Sequence, residues 1–229
     1  EVRGVAQDQN LESEMEEIAE QKLNEFPDKD KYKKKVSDMK KLTEIYKKYK
    51  SQEELSKEDL IFLYEIDSKI EGFGYEKDPR INEIRVSRNI VIDLNNILEN
   101  VDFFEGNLDL SILTTAEGLK LPETIGGYLN LSGLKTAKGL KLPKTVNGDL
   151  YLSRLTTAEG LELPETIGGS LNLSSLTTAK GLKLPKTING DLDLRGLKTA
   201  EGLKLPETIT GVLYLRDLTI AKGLKLPKT

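Results

Sequence analysis

The sequence predicts an α+β chain. A helical N-terminal region covers residues 1–89, a capping strand and linker cover 90–105, and a β-solenoid of six 21-residue coils covers 106–229. Three observations carry that expectation. Glycines recur at 106, 127, 148, 169, 190 and 211, a period of 21. Within each period, leucines alternate with polar residues, which is strand spacing. Ahead of residue 90 the apolar residues recur mostly three or four apart, which is helical spacing.

Each copy of the repeat reads G-x-L-x-L-x-x-L-x-T-A-x-G-L-x-L-P-x-T-I-x. Val146 once replaces the isoleucine, Ile220 once replaces the threonine, and the last copy stops two residues short at Thr229. Leu108 and Leu110 fall on one face of a short strand, and Leu119 and Leu121 predict a second. Gly118 precedes that second strand and is expected to hold a backbone conformation that a side chain obstructs. Pro122 follows it and lacks the N–H to extend it. One coil cannot bury its own leucines, whereas stacked coils bury them in a continuous core.

Two charged columns support stacking. One reads Glu117, Lys138, Glu159, Lys180, Glu201, Lys222 and the other Glu123, Lys144, Glu165, Lys186, Glu207, Lys228. Equivalent residues on hydrogen-bonded parallel coils lie about 4.8 Å apart, so a column of one sign repels itself. Alternation turns repulsion into attraction, worth about 0.2–1 kcal/mol for each exposed pair. It also opposes a slip of one coil, which would set Glu on Glu.

The copies resemble leucine-rich repeats, in particular the short bacterial kind that carries a Leu-Pro pair, here Leu121-Pro122 and its equivalents. They depart from that pattern in two places. The run Ile125 to Leu131 is one residue longer than L-x-x-L-x-L, and Leu134 stands where the family has an asparagine that ties one coil's backbone to the next. The resemblance implies a protein- or peptide-binding role on the outward face of the x-L-x-L strand. The stretch from Glu54 to Ile81 is similar to a segment of uncharacterised bacterial proteins with such repeats, which implies shared architecture and no activity.

The helical region divides at its breakers. Leu11, Met15, Ile18, Leu23 and Phe26 form one stripe, ended by Pro27, on an acidic helix. Tyr32, Val36, Met39, Leu42, Tyr46 and Tyr49 form a second, on a basic helix expected to attract the first. A third helix starts at the cap Ser56, with Asp59 completing a capping box and Leu55 stapling to Leu60, and is expected to end near Gly72. Asp78-Pro79 starts a fourth. Ile90 to Leu94 is expected to be a strand that opens the solenoid. The helical region is expected to cover the first coil. No cover is evident for the last, which predicts either a longer native chain or end-to-end self-association there.

The chain has no cysteine, histidine or tryptophan. It therefore holds no Cys/His zinc site, no disulfide, no cysteine nucleophile and no Ser-His-Asp triad. No cofactor, metal or catalytic residue is expected, and the protein is read as a non-enzyme. The lack of cysteine favours the cytoplasm, and no apolar run reaches the roughly 20 residues of a membrane span. Net charge is -8 over residues 1–105 and +4 over 106–229, too mild to imply nucleic acid.

Function is expected where the repeat varies, beside its first two leucines. The candidate partner-binding residues are Asp109, Tyr128, Asp149, Tyr151, Arg154, Asp191, Asp193, Arg195, Tyr214 and Arg216. Tyr and Arg dominate many interfaces. Two alternatives stand beside a protein or peptide partner: nucleic-acid binding through Lys120, Lys141, Lys183, Lys204 and Lys225, and ice or surface binding through the Thr115 and Thr124 columns.

Overall fold

The computed structural model describes residues 27–74 and 76–226. The chain forms two compact units, residues 1–84 and 85–229. The helix predicted over Leu11–Phe26, and its attraction to the next helix, lie outside the described residues.

In the first unit, α1 (Lys29–Lys50) is helical as predicted, but its buried face is Asp38, Leu42 and Ile45; of the predicted stripe only Leu42 is buried, and Tyr32 is exposed. The next helix, α2 (Lys57–Leu63), starts as its sequence dictates. Ser56 Oγ accepts from the Asp59 N–H, and the Asp59 side chain accepts from the Ser56 N–H, both at 3.2 Å. Leu55 and Leu60 are both buried, as a hydrophobic staple requires. Asp59 is fully buried and also accepts from Lys41 and Lys48, each at 2.6 Å.

The α2 helix ends at Leu63, well before Gly72. Glu65 takes φ +57°, its N–H donates to Phe62 O, and the Ile66 N–H donates to Ile61 O, both at 3.0 Å. That pair of bonds is a Schellman stop, sealed by burial of Ile66. A non-glycine residue supplies the left-handed turn, so the sequence carries no stop signal there. The next helix, α3 (Pro79–Val86), begins at the predicted proline, with Asp78 Oδ1 accepting from the Arg80 N–H at 3.0 Å.

In the second unit, Ile90 to Leu94 is helical, not a strand. It lies in α4 (Ile90–Ile97), capped by Asn89 Oδ1, which accepts from the N–H groups of Val91 and Ile92. The β-branched run Ile-Val-Ile favours a strand. The cap, and burial of Asp93, Leu94 and Ile97 along one helical face, outweigh it. The α4 helix meets the first coil through Asn95. Its Nδ2 donates to Gly118 O and its Oδ1 accepts from the Lys120 N–H, each at 2.8 Å.

The solenoid is two ladders of short parallel strands. The first ladder runs β1 (Phe103–Phe104), β3 (Thr124–Ile125), β5 (Thr145–Val146), β7 (Thr166–Ile167), β9 (Thr187–Ile188) and β11 (Thr208–Ile209). The second runs β2 (Leu108–Asp109), β4 (Leu129–Asn130), β6 (Leu150–Tyr151), β8 (Leu171–Asn172), β10 (Leu192–Asp193) and β12 (Leu213–Tyr214). Register follows the period, with Leu108 beside Leu129 and Thr124 beside Thr145. The coils complete about five turns rather than six. In the sixth copy the position equivalent to Thr124 is residue 229, outside the described residues.

The second ladder strand is not at Leu119–Leu121. That segment follows a tight turn in which the Leu119 N–H donates to Ala116 O at 3.0 Å and Gly118 takes φ +81°. Leu119 still enters the core, with Leu108, Leu110, Leu113, Ala116 and Ile125. The next strand starts two residues beyond Pro122, where N–H donors resume. Gly118 is needed for its positive φ, because the space around its would-be Cβ is open apart from Val91 at 4.0 Å. The column of Gly127 serves a different need: a Cβ on Gly148 would lie 2.7 Å from the Gly127 carbonyl carbon.

Of the two charged columns, the second lies on hydrogen-bonded backbone: Lys144 N–H donates to Glu123 O and Glu165 N–H to Lys144 O. Lys144 Nζ also pairs with Glu123 Oε1 at 2.9 Å across one coil step. In the first column, a Cβ on Gly139 would lie 3.1 Å from Glu117 Cα, which makes these coils direct neighbours as well. Among the described residues, no helix is long and apolar enough to cross a membrane.

Candidate recognition strip on the second ladder

Alternation puts the leucines of β2 to β12 inward and the residues beside them outward, so the varied positions line one sheet face. All ten predicted partner-binding residues lie on or beside these strands. The structure divides them by what their side chains already do.

The column before the first leucine is largely a backbone clamp. Asn107 Oδ1 accepts from the Tyr128 N–H at 3.0 Å, one coil on. Asp149 Oδ1 accepts from the Ser170 N–H, Ser170 Oγ from the Asp191 N–H, and Asp191 Oδ1 from the Val212 N–H, at 2.7, 3.0 and 2.7 Å. Side-chain bonds therefore tie coil to coil, in a different column from Leu134 and its equivalents. The composition Asn, Asp, Ser, Asp of this column is the signal: all are short acceptors.

The column between the leucines closes turns. Asp109, Asn130, Asn172 and Asp193 each accept, through Oδ1, from the N–H two residues on, at 3.0–3.1 Å. Asp193 is buried and also binds Arg195 Nε at 2.9 Å. The guanidinium of Arg195 lies 5.6 Å from the centre of the Tyr214 ring. Arg216 pairs with Asp217, which also binds Lys198.

Tyrosine takes the acceptor's place at 128, 151 and 214. The rings of Tyr128 and Tyr151 meet edge to face, 6.0 Å apart between centres. The Tyr151 hydroxyl donates to Asp149 Oδ2 at 2.6 Å, and that bond raises its pKa to about 12. The bond fixes the ring in place. Arg154 is exposed and has no hydrogen-bond or ion-pair partner among the described residues, and the same holds for Lys135.

The alternative surfaces differ in character. Thr115, Thr178 and Thr199 accept, through Oγ1, from the N–H two residues on, at 3.2–3.4 Å, so this threonine column binds local backbone. The lysines of the like-charged column are exposed. No protein family, no curated protein and no solved structure matches the chain.

Proposed function

We propose that the solenoid is a non-enzymatic scaffold that binds a protein or peptide across the outward face of the second ladder. On this reading its repeats belong with the bacterial leucine-rich repeats, to which the Leu-Pro pair and the x-L-x-L strand attach them. The protein works in the cytoplasm, a setting its lack of cysteine suits.

The observation that carries this reading is the placement of tyrosine. At 128, 151 and 214 an aromatic ring displaces the short acceptor that other coils use to bind backbone. Selection for stability alone favours keeping the acceptor, since each such bond contributes about 1 kcal/mol. An aromatic on an open sheet face contributes most when a partner covers it.

Selection from a displayed library of random peptides tests the reading. Peptides enriched on the native chain should lose binding to the Tyr128→Ser, Tyr151→Ser, Tyr214→Ser triple variant, while its circular dichroism and melting temperature stay close to native. Equal binding to both chains would remove the strip from consideration.

A further inference from the structure

We propose that the middle of the strip takes an extended acidic segment of a partner polypeptide. A carboxylate of the partner sits on Arg154 and Lys135, and an adjoining apolar or aromatic side chain packs on the Tyr128–Tyr151 pair. This rests on the binding-face reading above and adds the chemical class of the ligand.

Charge accounting along the face carries it. Towards β12 the charges are matched internally, Arg195 with Asp193 and both Arg216 and Lys198 with Asp217. In the middle they are not. Arg154 and Lys135 are exposed and unpartnered among the described residues. Asp149, the acid of the strip in the coil of Arg154, has both oxygens engaged, one by the Ser170 N–H and the other by the Tyr151 hydroxyl. The flanking outward positions are neutral: Asn130, Ser132, Ser153, Asn172, Ser174 and Ser175.

The shape around Arg154 keeps it available. Its equivalents one coil back and one coil on are Gly133 and Ser175, too short to cover a guanidinium. Gly133 is held small by the backbone, because a Cβ there would lie 2.2 Å from both Ser111 O and Leu113 O. A planar guanidinium with uncovered donors matches a carboxylate in a two-bond fork. Two cations in the same two coils as the aromatic pair fit a short acidic–aromatic peptide better than a polyanion, which needs a longer run of positive charge.

The experiment is selection of short random peptides on the native chain, with affinities of the enriched sequences then measured on variants. Enrichment of Asp or Glu beside an apolar residue is expected. Arg154→Glu should weaken those peptides at least tenfold, and peptides remade with Lys in place of the acid should bind Arg154→Glu better than the native chain does. Tyrosine-dependent peptides without acidic enrichment, or affinities unmoved by Arg154→Glu, overturn the acidic class and leave the binding face standing. Enriched peptides indifferent to the Tyr128→Ser, Tyr151→Ser pair overturn this proposal, and indifference to the triple variant with Tyr214→Ser overturns the binding face as well. A single-stranded oligonucleotide that binds tighter than any selected peptide and depends on Arg154 also overturns the proposal, in favour of phosphate.

Discussion

Ser170 shows what one small side chain does in a stacked fold. Its hydroxyl accepts from the Asp191 N–H at 3.0 Å, one coil away, in a half-buried setting. Ser170→Ala leaves that donor unmatched and should cost about 1 kcal/mol in urea unfolding, with faster amide exchange at Asp191. Ser170→Asn keeps an acceptor at that reach and should recover most of the loss.

The glycines separate into two kinds at the same scale. Gly160 has φ +74° and open space around it, so Gly160→Ala costs only backbone strain, about 1–2 kcal/mol, and Gly160→Asn less. Gly148 has an ordinary φ but backbone within 2.7 Å of a would-be Cβ, so Gly148→Ala should cost about 3 kcal/mol or more. Asparagine should give no relief there. Melting curves for the four variants, alanine and asparagine at each glycine, test both arguments.

At the scale of elements, legibility in the sequence followed the kind of signal. The helix starts at Ser56 and at Asp78-Pro79 were legible because they rest on local chemistry. The end of α2 was not, since Glu65 adopts a left-handed turn without being glycine. The α4 helix was hidden by its β-branched start, and the Thr-Ile ladder by its single apolar residue per strand. The strip itself was legible as the varied face. Its internal division shows only when copies are compared by column, since one copy does not reveal a side chain's reach to the next coil's N–H, whereas the short acceptors Asn107, Asp149, Ser170 and Asp191 together do.

The α2 cap makes a pH prediction. Burial pushes the Asp59 carboxyl up, but hydrogen bonds from Lys41, Lys48 and the Ser56 N–H more than reverse this and hold it at about 2, below its ordinary 3.8. A depressed carboxylate stabilises the fold above its unfolded pKa, and that contribution is lost as pH falls through the folded one. About 2 kcal/mol should therefore disappear between roughly pH 4 and pH 2, read from helical ellipticity in urea. Asp59→Asn should flatten that limb. On the solenoid side, Asn95→Ala removes both bonds to the first coil and should speed amide exchange at Lys120 above all.

At the scale of the solenoid the alternating charged columns predict a register effect. Removing residues 148–168 deletes one coil, keeps every leucine in phase, and sets Lys138 against Lys180 and Lys144 against Lys186. Removing 148–189 deletes two coils and restores Glu beside Lys at both junctions. Like charges about 4.8 Å apart repel by roughly 1 kcal/mol in water at low salt, and ions screen most of that by about 1 M. The one-coil deletion should therefore melt at a higher temperature as sodium chloride rises from 10 mM to 1 M. Both deletions also remove Glu162 and set Lys141 beside a lysine, so that column affects them alike, and the two-coil deletion, whose pairs in the two alternating columns attract, should show a clearly smaller rise. The comparison is internal because the shorter two-coil deletion has lost more coil interfaces than the one-coil deletion. If size governed salt response, it would be the more affected of the two. Parallel salt responses in both deletions would mean that alternation is a remnant of duplication, with no part in holding the coils in register.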